Sequence, residues 1–73
     1  MAHKVIYDAL IKKYEADIAD ATAKITILMT DTRIIPEHID VTGEIDKLLG
    51  KVEEAESRMA ILQQVYGVNV AVN

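Results

Sequence analysis

The fold is decided by one stretch of the chain, Thr30-Asp31-Thr32-Arg33-Ile34-Ile35-Pro36-Glu37-His38-Ile39-Asp40. It is the one place where a chain of 73 residues stops following a helical pattern. Three polar residues at its start compete for backbone hydrogen bonds, and Pro36 keeps the residue before it out of the helical region. We therefore predict a first helix over about 3–30, a linker over 31–39 and a second helix over about 40–66. Asp40 is the favoured cap of the second helix, with a helical turn starting at Pro36 as the alternative.

Apolar residues recur on both sides of this linker at alternating steps of four and three, the spacing of a coiled-coil seam. The first set is Tyr7, Ile11, Tyr14, Ile18, Ala21, Ile25 and Leu28. The second set is Val41, Ile45, Leu48, Val52, Ala55, Met59, Leu62 and Tyr66. Folding the segments antiparallel puts Tyr7 near Tyr66 and sets each alanine against a larger residue, as interdigitated packing requires. The prediction is an all-α, antiparallel two-helix hairpin that resembles a coiled coil and forms a single domain.

The last seven residues predict a short extended tail. Gly67 is placed to end the second helix, and β-branched residues then alternate with smaller or polar ones. In an extended segment Val68, Val70 and Val72 project to one side, which suits docking on a neighbour. Together with the linker residues they form the predicted partner surface, which consists of Ile34, Ile35, Glu37, His38, Val68, Val70 and Val72.

The apolar content predicts an oligomer. No cysteine is present to form a disulfide, yet 51% of the residues are apolar, which is a high share for so short a chain. Many apolar residues lie off the seam, where a lone hairpin leaves them in water: Val5, Ile6, Leu10, Ile27, Met29, Ile34, Ile35, Ile39, Leu49, Ile61 and Val65. A homodimer that forms a four-helix bundle would cover most of them, and a larger assembly or a different partner protein is the alternative.

Charge and hydropathy argue against two classes of partner. A net charge of −4 and a pI near 4.9 do not suit a protein that neutralises the phosphates of nucleic acid. No apolar run approaches the roughly 18 residues that a membrane span requires, and the first ten residues contain Asp8 and lack the core of a signal peptide. We expect neither nucleic acid nor membrane as a partner.

Few residues are suited to catalysis or to binding a metal or cofactor. Glu37 and His38 are the only acid/base neighbours in a loop, and the tip of a hairpin offers no pocket to hold them in a catalytic geometry. With His3 as the only other histidine and no cysteine, we expect no metal site, no cofactor and no enzymatic activity. The tyrosines on the seam are read as core, although Tyr7 and Tyr66 could form a stacking site where the two chain ends meet.

Two segments resemble a known group of proteins. Ile35-Pro36-Glu37-His38, followed by Ile45-Asp46-Lys47-Leu48, Lys51 and Glu54-Ala55-Glu56, is similar to small tailed-bacteriophage proteins whose turn reads Asn-Pro-Val-Gly-Ile-Gly-Glu-His-Pro. The likeness spans roughly Tyr14 to Leu62, and this chain has neither of the two turn glycines. The resemblance implies a phage origin and a helical-hairpin fold, and it implies no activity.

Two functions follow as expectations. In the first, the chain is a non-enzymatic structural component of a virion, associated with the capsid, neck or tail, and it binds itself and other phage proteins through its helix faces and tail. In the second, it is a small oligomeric effector in the host cytoplasm that binds a host protein or sequesters a nucleotide signal.

Overall fold

A computed structural model shows two helices, α1 (Ala2–Thr30) and α2 (Val41–Val72). The structure describes the backbone of residues 2–30 and 40–72 and the side chains of residues 3–30 and 40–67. The helices pack against each other in a rod of 53 × 15 × 15 Å, and the described ranges contain no strand. The predicted all-α two-helix hairpin is confirmed. Ile34, Ile35, Glu37, His38 and the rest of the linker lie outside the described residues.

The first helix ends at Thr30, where the sequence predicts that helical structure stops. Its last turns carry threonines whose hydroxyls bond within the helix. The Thr26 hydroxyl donates to the Thr22 carbonyl at 3.0 Å, and the Thr30 hydroxyl donates to the Thr26 carbonyl at 2.7 Å. These local bonds satisfy the hydroxyl groups without a tertiary partner.

Asp40 caps the second helix, as its position in the sequence predicts. Its carboxylate accepts a hydrogen bond from the Gly43 backbone N–H at 3.0 Å, and its carbonyl accepts the first helical bond, from the Glu44 N–H, at 2.9 Å. A β-carbon at position 43 would meet the Asp40 carboxylate, so glycine leaves room for the cap as it is arranged here. Glu44 adds a negative charge to the first turn, where the helix dipole favours it.

The predicted end of this helix is wrong, because α2 continues through Gly67 to Val72 and no extended tail follows. None of the described glycines has a positive φ, so Gly67 does not form the left-handed stop that glycine commonly supplies. Val68, Val70 and Val72 therefore have a helical backbone, and residues two apart on a helix point in nearly opposite directions. The predicted valine-lined side does not exist in this conformation. The side chains of these valines lie outside those described.

The two seams supply the core, and it is a small one. Its buried members are Ala21 on α1 and Leu48 and Ala55 on α2. Every other seam residue is half-buried apart from Tyr66, which is 56% exposed. Because three buried residues form the whole described core, most apolar side chains keep substantial contact with water.

Candidate functional site

An open groove of about 260 Å³ crosses the two helices midway along the rod. Its lining consists of Tyr14, Asp17, Asp20, Lys51, Glu54, Ala55 and Arg58. Tyr14 and Ala55 belong to the seams, and each of the five charged residues immediately precedes a seam residue in the sequence. Positions that precede a seam residue on α1 therefore lie on the same side of the hairpin as the corresponding positions on α2.

This rule assigns a whole face of the molecule, which we call the mixed face. It contains the charged residues that directly precede seam residues, namely Lys13, Asp17, Asp20 and Lys24 on α1, Asp40 at the cap of α2, and Glu44, Lys47, Lys51, Glu54 and Arg58 on α2. Each of them either lines the groove or lies one or two steps of seven residues from a residue that does. A step of seven residues returns to the same face of a packed helix. Five basic and five acidic side chains leave this face without net charge.

Ion pairs neutralise much of the mixed face locally. The ammonium of Lys13 lies 2.9 Å from the Asp17 carboxylate, and that of Lys24 lies 3.0 Å from Asp20. On α2 the Arg58 guanidinium lies 3.3 Å from Glu54, and a longer contact of 3.9 Å joins Lys47 to Glu44. All four pairs are exposed, so each contributes only about 0.3–0.5 kcal/mol to stability.

An apolar patch occupies the end of the mixed face where α1 begins and α2 nears its end. We call it the open-end patch, and it consists of Ile6, Leu10, Ile61 and Val65. Each of its members also directly precedes a seam residue. Leu10 is half-buried, whereas Ile6 is 60% exposed and Ile61 and Val65 are each 57% exposed. A cluster of exposed aliphatic side chains on one side of one end is a surface suited to a partner.

The opposite side of the hairpin is acidic. Each of its charged residues directly follows a seam residue. The residue after a seam position lies about 200° around the helix from the residue before that position. They are Asp8, Lys12, Glu15, Asp46, Glu53 and Glu56, with a net charge of −4. Lys4 lies 2.9 Å from Asp8, and counting it leaves an excess of three negative charges. We call this the acidic face.

The predicted aromatic pair at the open end takes a different form. Tyr7 is half-buried, and its hydroxyl lies against Gly67, 3.2 Å from where a β-carbon at that position would be. Tyr66 is instead more than half exposed. Gly67 is thus explained by the close approach of Tyr7, a role that the sequence pattern did not distinguish from a helix stop.

The described residues contain no group of three histidine, aspartate or glutamate side chains placed to hold a metal ion. Over that same part of the chain, neither helix has a segment long and apolar enough to cross a membrane. The groove brings together three carboxylates, two basic groups and the Tyr14 ring. This arrangement can form salt bridges with a protein surface.

Comparisons with family models, with curated proteins and with solved structures find no match to this chain. Its surface is therefore the source of evidence on function. Sequence reasoning placed both seams but overlooked the division of charge between the faces. The signal was present, since it follows from whether a charged residue precedes or follows a seam position.

Proposed function

We propose that this protein is a non-enzymatic assembly component of a bacteriophage particle, associated with its capsid, neck or tail, that binds copies of itself and other particle proteins through its helix faces. The phage setting rests on the resemblance of the linker and the second helix to small tailed-phage proteins. The binding role rests on one observation, the amount of surface that the hairpin leaves open.

The accessible surface of the chain is 5562 Å². A compact monomer of 8.1 kDa is expected to expose roughly 4,500 Å². The radius of gyration is 16.3 Å, against about 11 Å for a compact domain of this length. The excess of roughly 1,100 Å² is comparable to the ~800 Å² that each partner buries in a standard protein interface. Such a surface favours a component of an assembly.

Mass spectrometry of purified particles tests the proposal. A lattice component is expected at a constant number of copies per particle after salt washing, in proportion to the major structural proteins. A phage protein with no place in the particle serves as the control for carry-over from the lysate. Loss of the protein on washing, in parallel with that control, would contradict a structural role.

The alternative function, a small effector in the host cell, has two forms: capture of a nucleotide and binding of a host protein. Capture of an anionic nucleotide is disfavoured by the groove, because its three carboxylates outnumber its two basic groups and phosphates bind best to unopposed Arg or Lys. Binding of a host protein would use the same exposed faces. A protein abundant in infected cells and absent from washed particles is the result that supports that role.

A further inference from the structure

We propose that a second copy of this chain covers the mixed face, in a two-fold dimer that brings the two open ends together. This inference deepens the proposed function and rests on it, because it names the first partner that the helix faces bind. The size of the face, its charge and the position of its apolar residues favour this arrangement.

The size of the face fits a dimer. One long side of the rod measures 53 by 15 Å, or roughly 800 Å². This is about the area that each partner contributes to a standard stable interface. Contact limited to the apolar patch would cover only a fraction of that area, so we infer that the copies overlap along their length.

Charge selects which face is covered. Two acidic faces brought together would oppose four net negative charges with four more, and like charges across an interface cost several kcal/mol. The mixed face has no net charge, and most of its carboxylates already lie beside basic groups. It also carries the open-end patch. A second copy can therefore approach the mixed face without strong repulsion and gains apolar contact there.

A crosswise arrangement would separate the two open-end patches, which lie at one end of the rod. If the two-fold axis ran perpendicular to the helices, α1 would pack antiparallel against α1 of the second copy, and α2 would pack antiparallel against α2. With Leu10 set against Ile27 of the other copy, Lys13 would face Lys24 and Asp17 would face Asp20. On α2 the same rotation would set Lys51 against Arg58. In that register three pairs of like charges would meet.

An axis parallel to the helices brings the two apolar ends together. This axis packs α1 of one copy against α2 of the other with no shift along the rod. Residues at the same height on the two helices of one hairpin therefore also lie at the same height across the dimer. Leu10 then lies level between Ile61 and Val65, and Asp17 lies level between Glu54 and Arg58, with which it shares the groove. Lys24 lies level between Lys47 and Lys51, and the carboxylates of Asp20 and Glu44 lie beside Lys24 and Lys47.

This arrangement stacks the two open-end patches. Eight aliphatic side chains, four from each copy, would form a shared core at one end of a four-helix bundle. The small core of the single hairpin would thereby continue into the dimer. Because both patches lie at the same end, their burial depends on the parallel arrangement of the two rods.

Neighbouring residues provide a matched test of the face. Ile6 and Val5 lie at the same end of α1 and are 60% and 67% exposed, but Ile6 precedes a seam residue whereas Val5 is on the acidic side. In sedimentation equilibrium of the full chain, Ile6→Gln is expected to weaken the dimer at least tenfold, because each dimer loses two buried side chains. Val5→Gln is expected to leave the dissociation constant unchanged. Circular dichroism checks that both variants stay helical.

Cysteine cross-linking tests the orientation, since the chain contains no cysteine of its own. Val65→Cys is expected to cross-link to itself with a short bis-maleimide, whereas Gln63→Cys on the acidic side is not. In a mixture of Val65→Cys and Glu44→Cys chains, preferential cross-links between the two variants would indicate the crosswise arrangement and overturn the proposal.

Two other results would also overturn it: a wild-type chain that stays monomeric at high micromolar concentration, or equal weakening by Ile6→Gln and Val5→Gln. Neither result would affect the proposed place in the particle. That role is decided by the copy number in washed particles, so the two proposals fail separately.

Discussion

Gly50 and Gly67 have different surroundings within α2. Gly67 lies under the hydroxyl of Tyr7, so its lack of a side chain permits a close approach between the helices. Gly50 faces open space, and a β-carbon there would meet no atom within 4 Å. Both are helical, and neither has a positive φ. Their replacement by alanine should therefore have different consequences.

We expect Gly50→Ala to raise the free energy of unfolding by about 0.5–1 kcal/mol, because alanine loses less backbone entropy in a helix. Gly67→Ala should gain less or destabilise the protein, since its β-carbon would lie 3.2 Å from the Tyr7 hydroxyl. In a Tyr7→Phe background that contact is absent, and Gly67→Ala should recover the gain. Urea titrations of the variants measure these differences. Equal gains at both positions in the wild-type background would argue against the Tyr7 contact.

The cap at Asp40 makes a second prediction at this scale. Asp40→Ala removes the acceptor for the Gly43 N–H and is expected to cost about 1 kcal/mol. Asp40→Asn retains an oxygen acceptor and should lose only a few tenths. Thermal unfolding monitored by circular dichroism compares the two. If asparagine costs as much as alanine, the contribution comes from the negative charge and not from the hydrogen bond.

At the scale of whole elements, the seam spacing was sufficient to predict both helices and their pairing. Two uninterrupted patterns on either side of a proline-containing linker account for the twenty-nine residues of α1 and for α2 as far as Tyr66. The end of α2 was not predictable in the same way, because glycine after a seam residue is equally consistent with a helix stop and with a close contact. Only the position of Tyr7 distinguishes them. Local sequence cannot encode that long-range contact.

Substitutions on the seam side and on the exposed side of α1 test which side of this helix packs against α2. Ile18 lies on the seam and is half-buried, whereas Ala16 is exposed. Ile18→Asp would place an unpaired charge between the helices, which costs several kcal/mol out of a total stability of roughly 4–11 kcal/mol for a chain of this length. We expect it to abolish cooperative unfolding.

Ala16→Asp introduces the same side chain two residues away and serves as the control. It should keep the helical content and cost a few tenths of a kcal/mol, from the lower helix propensity of aspartate and from Asp20 four residues later. Circular dichroism and urea titration measure both variants. Equal loss of structure in the two would show that the exposed side of α1 is also covered in solution.

At the scale of the whole molecule, the proposed dimer gives the two faces separate roles. The acidic face keeps copies apart on one side, while the mixed face allows them to approach on the other. This division limits self-association to a closed pair, because a pair joined through its mixed faces presents only acidic faces along its two long outer sides. The acidic surface is then available for a different, more basic partner protein.

Self-association of this kind makes stability depend on protein concentration. Each tenfold increase in concentration should add about 1.4 kcal/mol to the stability of the dimer, so that the melting temperature of the wild-type chain rises by several degrees over a hundredfold range. A double variant, Ile61→Gln with Val65→Gln, removes half of the open-end patch and leaves the seams intact. Its melting temperature should be lower and nearly independent of concentration. A wild-type melting temperature that stays constant over the same range would mean that the hairpin folds alone, and that the exposed patch is stable in water without a second copy.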